Sequence, residues 1–477
     1  MLFYNMIEDR TPKDCKSCLK RFEAIIADLQ RQIKIQAKEI KALKEQINKN
    51  SSNSNKPPST DDPFKKQTKS LREKSGKNVG GQPGHKGSTL EKRSDPDKII
   101  WHPVTQCSCC GDNLDKVSVK KIESRQVFDI PPVKVEVTEH QAEIKKCPNC
   151  GAHNKGEFPE GVVNPAQYGI NIKAVSSWLK NSGFVSYERI AEFFKEALGI
   201  KLSQATLQGF DIETARKLGD FEISLRENLL KEKVLHVDES GLRIEGKLNW
   251  VHSLSSNNYT LYYPHKKRGY EAIKEMRVLP KYEGTLIHDA WASYWNLSCF
   301  HGLCNVHHLR ELKWVYENEN QEWADDFINL LLKIKEDKEK KFPLSRYKTD
   351  KYNFFYDYFI KKGYRENPLP KRKSKRQRGK QYRGKILCLL DRLKKHKDEV
   401  LLFMEEEEVP FGNNLAERDI RMVKVQQKVS GTFRSWSGTY AFCRIRSFIS
   451  TVRKKGFSSF NAIIDALNGN SLIYMTE

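Results

Sequence analysis

From Phe22 to Ile47 apolar residues return at alternating steps of four and three: Phe22, Ile26, Leu29, Ile33, then Ile40, Leu43 and Ile47, with Gln36 filling the gap. This spacing draws one apolar stripe along a helix. Isoleucine at every a position (Ile26, Ile33, Ile40, Ile47) with Leu29 and Leu43 at d favours a parallel two-stranded coiled coil, with Gln36 as a polar register device. Residues 15–50 are therefore expected to form a homodimerisation helix, the alternative being an amphipathic helix packed on its own domain. Over 51–100 the period is lost. Stretches such as "SSNSNKPPSTDDPFKK" and "GKNVGGQPGHKGST" carry too little apolar surface to fold alone and read as a basic, flexible linker. Over 101–155, alternating runs such as "VKVEVTEH" lie between cysteine pairs and predict short antiparallel strands around a metal.

The pattern turns helical over 160–232 ("IKAVSSWLKNSG", "YERIAEFFKEALG", "SQATLQGFDIETARKL"), a DNA-binding or linking region. From 233 to 341 it gives three meander strands ("KVLHVDES", "KLNWVHSLS", "NYTLYYPH"), a helix at "GYEAIKEMR", the strands "GTLIHDA" and "GLCNVHH", and one long helix through "LRELKWVYENENQEWADDFINLLLKIK". Meander strands followed by alternating helix and strand imply a mixed sheet covered by helices. Residues 342–408 break the rhythm as an aromatic-rich, basic helical insertion. Residues 409–456 resume the core with a helix from near Asn413, and 457–477 form a C-terminal tail.

Composition narrows the partners. The 477 residues hold 84 Lys and Arg against 61 Asp and Glu, a net charge of +23, which attracts polyanions or anionic membrane. No run of 18 or more apolar residues and no signal peptide is evident, so double-stranded DNA is the expected partner, membrane is not, and a cytoplasmic location is expected. Eleven cysteines in such a chain argue for reduced thiols and metal knuckles. Cys107-Ser108-Cys109-Cys110-Gly111 and Cys147-Pro148-Asn149-Cys150-Gly151 are two CxxCG turns, and Cys107, Cys110, Cys147 and Cys150 suit one tetrahedral, structural Zn²⁺. Cys109 is left over, and Cys15 and Cys18 form a lone pair, either by chance or as an inter-subunit site.

Asp238 ends a strand in "VLHVDES", Asp289 ends another in "TLIHDAW", and Glu417 lies one turn into a later helix. Three carboxylates so placed can converge on a pair of hard cations, Mg²⁺ or Mn²⁺, which would clamp the attacking and leaving oxygens of a phosphoryl displacement. The same residues also read as ordinary strand-end caps, with Glu417 paired to Arg421 at i,i+4. Glu239 should face away from Asp238.

"NSSNSNKPPSTD", "GGQPGHKG", the two CxxCG knuckles, "HVDES", "CNVHHLREL" and "NNLAERDIRMVKVQQKVSGTFRS" together resemble the DDE transposases of the insertion sequence 66 family, in order and over nearly the whole chain. The resemblance implies an α+β multidomain protein: an N-terminal coiled coil (leucine zipper), a zinc-ribbon-like module, and an RNase H-like mixed-sheet catalytic core with a helical insertion before its glutamate. It implies Asp238, Asp289 and Glu417 as the metal-binding triad, with two Mg²⁺ or Mn²⁺ per site. The implied activity is a bacterial, nucleoid-associated DDE transposase that binds terminal inverted repeats and catalyses DNA strand cleavage and strand transfer into target DNA, with accessory proteins of the same element as possible partners. Where many members read Asp-Asn-Asn this chain has Gly412-Asn413-Asn414, and where they read Asp-Glu-Thr it has Asp238-Glu239-Ser240. Gly412 is expected to loosen the approach to Glu417.

Cys304-Asn305-Val306-His307 resembles the C-x-x-H element that follows the second aspartate in several DDE transposases, but no further ligand is evident nearby in sequence. His307, His308 and Arg310 are read as DNA or active-site contacts, or as buried structural residues. Lys371, Arg372, Lys373, Arg376 and Arg378, with Arg418, Arg421, Lys424, Lys428, Arg434 and Arg444, are expected phosphate contacts, or else solvated faces. Trp291 and Trp436 are read as core in preference to base-stacking. Two rival functions stay open: a catalytically inactive, domesticated transposase acting as a zinc-containing DNA-binding regulator, and an RNase H-like nuclease that cleaves without joining.

Overall fold

The computed structural model describes residues 12–48, 84, 90–131, 133–369 and 383–475. The described parts of 69–167 and 191–202 form one compact unit, and those of 1–68, 168–190 and 203–477 another. The basic run holding Lys371, Arg372, Lys373, Arg376 and Arg378 lies outside the described residues.

Helix α1 (Pro12–Asn48) carries the heptad stripe. Phe22, Ile26, Leu29, Ile33, Ile40 and Leu43 are each more than half exposed, from 51% to 63%, so the stripe stays open along the chain. In the smaller unit, β1 (Ile144–Lys146) pairs antiparallel with β2 (His153–Lys155) immediately around the second cysteine knuckle.

In the larger unit, α2 (Ile170–Asn181), the start of α3 (Tyr187–Leu198), α4 (Gln204–Lys217) and α5 (Gly219–Lys231) precede the sheet. Strands β3 (Val234–Ile244) and β4 (Lys247–Ser255) form a hairpin whose two-residue loop, Glu245-Gly246, has φ of 52° and 76°. Both loop residues left-handed is the twist that matches a right-handed hairpin, and the glycine makes it cheap. β5 (Thr260–His265) completes the meander. After α6 (Tyr270–Glu275), β6 (Thr285–His288) and β7 (Phe300–Leu303) add in parallel, giving the order β5-β4-β3-β6-β7. The fold is thus mixed α+β.

Helices α7 (Asn305–Glu319), α8 (Glu322–Lys340), α9 (Arg346–Glu366), α10 (Gly384–Lys395) and α11 (Lys397–Glu405) follow, then α12 (Asn414–Ser430), α13 (Trp436–Lys454) and α14 (Ser459–Leu467). The single long helix expected after "CNVHH" is two helices. Asn320 takes a left-handed conformation (φ 51°, ψ 38°) and caps α7, as asparagine can at a helix end. Likewise "GLCNVHH" is strand only to Leu303, because Cys304 already opens α7.

Strand alternation sorts the sheet faces. Leu235, Val237, Leu254 and Leu286 pack with Phe221, Ala441, Phe448, Ile449 and Ile463 from α5, α13 and α14. Their strand neighbours face the other way: Leu242, Ile244, Val251 and Tyr262 meet Ile420 and Val423 of α12. Ile287 and Leu303 join a third core built by α7 to α11. The face that receives α12 is also the face of His236 and Asp238, two positions apart on β3.

Candidate active site

The parallel register sets the first two acids side by side. His236 of β3 stands level with Ile287 of β6, so two residues further on Asp238 and Asp289 lie at neighbouring positions on the same face. Asp238 does not end its strand as expected from sequence: β3 runs on to Ile244, because β4 continues to pair with it (Asp238 opposite Ser253) after β6 has stopped. Asp289 is exposed in the turn beyond β6, its Oδ1 accepting from Trp291 N at 3.0 Å.

Glu417 arrives from the first turn of α12. The helix start is fixed by Asn413, whose Nδ2 donates to Val237 O (2.6 Å), whose Oδ1 stands 2.9 Å from His236 Nδ1, and whose N–H donates to Cys304 Sγ (3.1 Å). The neighbouring Asn305 N donates to Phe411 O (3.0 Å), so this turn is stitched to both β3 and the head of α7. Gly412 does not loosen the approach. It is buried, and a Cβ there would stand 2.8 Å from Val306 Cγ2, so the missing side chain is what lets the segment lie close to α7.

The carboxyl of Asp238 is raised well above the usual range, first by burial and then by the negative charges of Glu239, Glu417 and Asp289. Glu239 faces away from Asp238 and is 3% exposed; its Oε1 accepts from Arg268 Nε and Nη2 (3.0 and 2.7 Å) and its Oε2 from Tyr294 Oη (2.5 Å). The Arg268 guanidinium lies 4.5 Å from the Trp291 ring and 5.1 Å from that of Trp250, tying the loop after Asp289 to the meander. Neither Arg268 nor Tyr294 was marked by sequence spacing; only the ion pair and hydrogen bond they make to the buried Glu239 identify them.

Glu417 Oε1 is 3.9 Å from His307 Nδ1 and its Oε2 is 4.0 Å from Arg310 Nη2. Cys304, His307 and Glu417 offer ligand atoms within 4.8 Å of one another, whereas among the described residues Asp238, Asp289 and Glu417 do not make so tight a set. Their influence on Asp238 nevertheless marks them as one electrostatic cluster.

Other expected contacts divide. His308 is buried, with Nδ1 3.1 Å from Asn305 Oδ1, so it is a structural residue rather than a DNA contact. Arg444 is engaged by Glu222 and by Ala215 O (3.0 Å), and Lys424 by Gly241 O and Gln427 Oε1 (3.2 Å); both are turned to internal partners. Arg418, Arg421, Lys428 and Arg434 are exposed. Trp291 and Trp436 are half-buried.

In the smaller unit the two knuckles have the same backbone. Cys107 N donates to Asp112 O (2.8 Å) and Gly111 N to Cys107 O (2.9 Å), and Cys147 N donates to Ala152 O (2.8 Å) and Gly151 N to Cys147 O (2.9 Å). Gly111 and Gly151 both take positive φ, 79° and 76°, which closes each turn. Amides at Cys110 and Cys109, and the Cys110 thiol, lower the Cys107 thiol; those at Cys150 and Asn149, with the Cys150 thiol, do the same for Cys147. Among the described residues no three of these thiols lie within 4.8 Å of one another, although the backbone of each knuckle is formed.

Comparison with known proteins places this geometry. The transposase IS66 family matches residues 166–441, the zinc-finger binding domain of transposase IS66 matches residues 105–151, and a family of unknown function, DUF6444, matches residues 11–91. The uncharacterized protein y4jO of Sinorhizobium fredii (strain NBRC 101917 / NGR234) is 33% identical over 79 residues, which is 17% of this chain and 25% of that protein. The match spans only a quarter of that relative. With more than half of its length covered by one family, including Asp238, Asp289 and the helix of Glu417, the chain belongs to the IS66 family of transposases.

Proposed function

We propose that the protein is an active DDE transposase that binds the inverted repeats of its element, cuts a DNA strand at their ends and joins the freed 3′-hydroxyl to target DNA. The observation that supports this reading is the crowding of Asp238 by Glu239, Glu417 and Asp289, a concentration of negative charge that a cation would relieve. All-oxygen donors of this kind fit Mg²⁺ or Mn²⁺, and Asp238, Asp289 and Glu417 are the residues that would hold two of them. Bound there, such ions supply the Lewis acidity for in-line phosphoryl displacement.

The chain's own groups then position and neutralise. Asn413 holds the Glu417 helix against β3. Arg268 keeps Glu239 compensated, leaving Asp238 and Asp289 as the open acids. Exposed Arg418 and Arg421, one turn apart on α12, lead from Glu417 to Lys428 and Arg434 and would track a phosphate backbone, each contact steepening the salt dependence of binding. The order β5-β4-β3-β6-β7, three antiparallel strands then two parallel ones, supports an RNase H-like core. The open stripe on α1 supports a coiled-coil homodimer, and Cys107, Cys110, Cys147 and Cys150 support a structural Zn²⁺ once the two knuckles close on each other.

Strand-transfer assays with Mg²⁺ on cognate ends test this. Asp238→Asn and Glu417→Gln should abolish cleavage while end binding survives, and cleavage at the wild-type rate in either variant overturns the assignment. A wild-type protein that binds ends and cuts nothing would be the inactive regulator; one that cuts without joining would be a nuclease.

A further inference from the structure

We propose that Cys304, His307 and Glu417 form a second, thiophilic metal site that takes Zn²⁺ and, by drawing Glu417 away from the hard-cation site, inhibits the transposase. The inhibitory half rests on the reading of Glu417 given above; the binding half does not.

Cys304 is the N-cap of α7 and His307 its third residue, positions one turn apart on the same side of a helix end. Glu417 comes to them from α12, so three donors meet from two elements that Asn413 binds together. The set is one sulfur, one nitrogen and one oxygen, which suits zinc and other late transition metals rather than magnesium. Three protein ligands with an open fourth position is the arrangement of an exchangeable zinc site, not of a closed structural one.

Two atoms point to a missing partner. His307 Nδ1 and Glu417 Oε1 are both buried without a hydrogen bond, and they face each other across 3.9 Å. That gap is too long for a hydrogen bond and close to the roughly 3.5 Å that separates donors around one tetrahedral ion. Arg310 approaches the other oxygen, Oε2, and leaves Oε1 open. Burial and the nearby Glu417 charge favour the Cys304 thiol, the Asn413 N–H on Sγ favours its thiolate, and a bound cation would tip the balance, the thiol proton leaving to solvent. Cys304 has no task in the cleavage chemistry.

The test uses full-length protein whose knuckles already hold zinc, titrated with Co²⁺ as a spectroscopic probe. The wild type should take one further Co²⁺ per chain with a near-ultraviolet thiolate-to-cobalt band, displaced by Zn²⁺ but not by excess Mg²⁺. Cys304→Ser should lose the band. His307→Gln, which removes one of the three donors but leaves the thiol in place, should keep a band but bind Co²⁺ at least tenfold more weakly. No band in the wild type, a band undiminished in Cys304→Ser, or unchanged affinity in His307→Gln overturns the site. Stoichiometric Zn²⁺ added to a Mg²⁺ cleavage reaction should lower the wild-type rate at least tenfold and leave the rate of Cys304→Ser, whatever its level, unmoved. A cobalt band without zinc inhibition overturns the inhibitory role, and a protein that never cleaves overturns the proposed function while the cobalt result still decides the site.

Discussion

Lys454 Nζ stands 2.8 Å from Asp419 Oδ2, an ion pair whose side chains are only 13% and 10% exposed. The same oxygen accepts from Ser255 Oγ (2.7 Å) and Thr260 Oγ1 (2.9 Å), and Tyr262 Oη donates to Asp419 O (2.8 Å). Asp419 lies two residues after Glu417, so this network sets how α12 lies on β4 and β5 and hence where Glu417 points. Asp419→Ala would leave a buried ammonium with only the Ser256 and Tyr259 carbonyls. A loss of about 3 kcal/mol is expected from urea unfolding, since breaking one partner of a buried pair strands the other charge. The same substitution in a Lys454→Met background should cost much less; an equal cost would mean the ion pair is not the source.

Asn413 holds the other end of the first turn. Its amide makes no N-cap hydrogen bond; Nδ2 and Oδ1 are both turned to β3 instead. Asn413→Ala should cost about 2–4 kcal/mol, because Val237 O and His236 Nδ1 are buried and would each lose a partner. Asn413→Asp should be at least as harmful at neutral pH, since it sets a carboxylate oxygen against the Val237 carbonyl at the present 2.6 Å donor distance. Denaturation midpoints of the two variants, with cleavage measured on the same samples, check both statements.

Gly412 makes a prediction opposite to the one its sequence suggested. Adding even a methyl group brings it to 2.8 Å from Val306 Cγ2, and valine on a helix has little rotamer freedom with which to retreat. Gly412→Ala should therefore destabilise by about 1–3 kcal/mol through overpacking, and Val306→Ala should recover most of that loss in the double variant. Thermal unfolding of the three proteins decides it; a neutral or stabilising Gly412→Ala would show that the segment has slack.

How far this was legible in the chain depends on the range of the interaction. The meander and the two later strands show in the sequence as short apolar and aromatic runs bounded by turn residues, since helices cover both faces of the sheet. Asp238 and Asp289 were visible for the same reason, as acids closing apolar runs. The break at Asn320 was hidden, since one left-handed residue leaves the helical period on either side intact. Hidden too were Asn413 against His236, Arg268 against Glu239, and the third ligand that joins Cys304 and His307, because each pair is far apart along the chain and side-chain type alone names no partner. Composition could count basic residues but not their accessibility, which is why Lys424 and Arg444, expected at phosphates or on solvated faces, turn out to hold internal partners.

Asp211 offers a test by pH, well away from the acidic cluster. It is buried at the junction of α2, α3 and α4, with Oδ1 accepting from Ser177 Oγ (2.6 Å) and Asn181 Nδ2 (2.8 Å) and Oδ2 accepting from Tyr187 Oη (2.6 Å). Burial pushes its carboxyl up to about 6 although these three bonds favour the charged form. A carboxyl that holds its proton more tightly folded than unfolded stabilises the fold below its unfolded pKa and loses that contribution as pH rises through the folded value. Wild-type stability should thus decline between about pH 4 and pH 6 and level off above, by on the order of 3 kcal/mol for a shift of this size. Asp211→Asn carries no such charge, so subtracting its unfolding free energy from the wild type's across that window isolates the effect. The difference should fall with rising pH. A flat difference would show Asp211 ionised throughout, and a rising one would show the three hydrogen bonds outweighing burial.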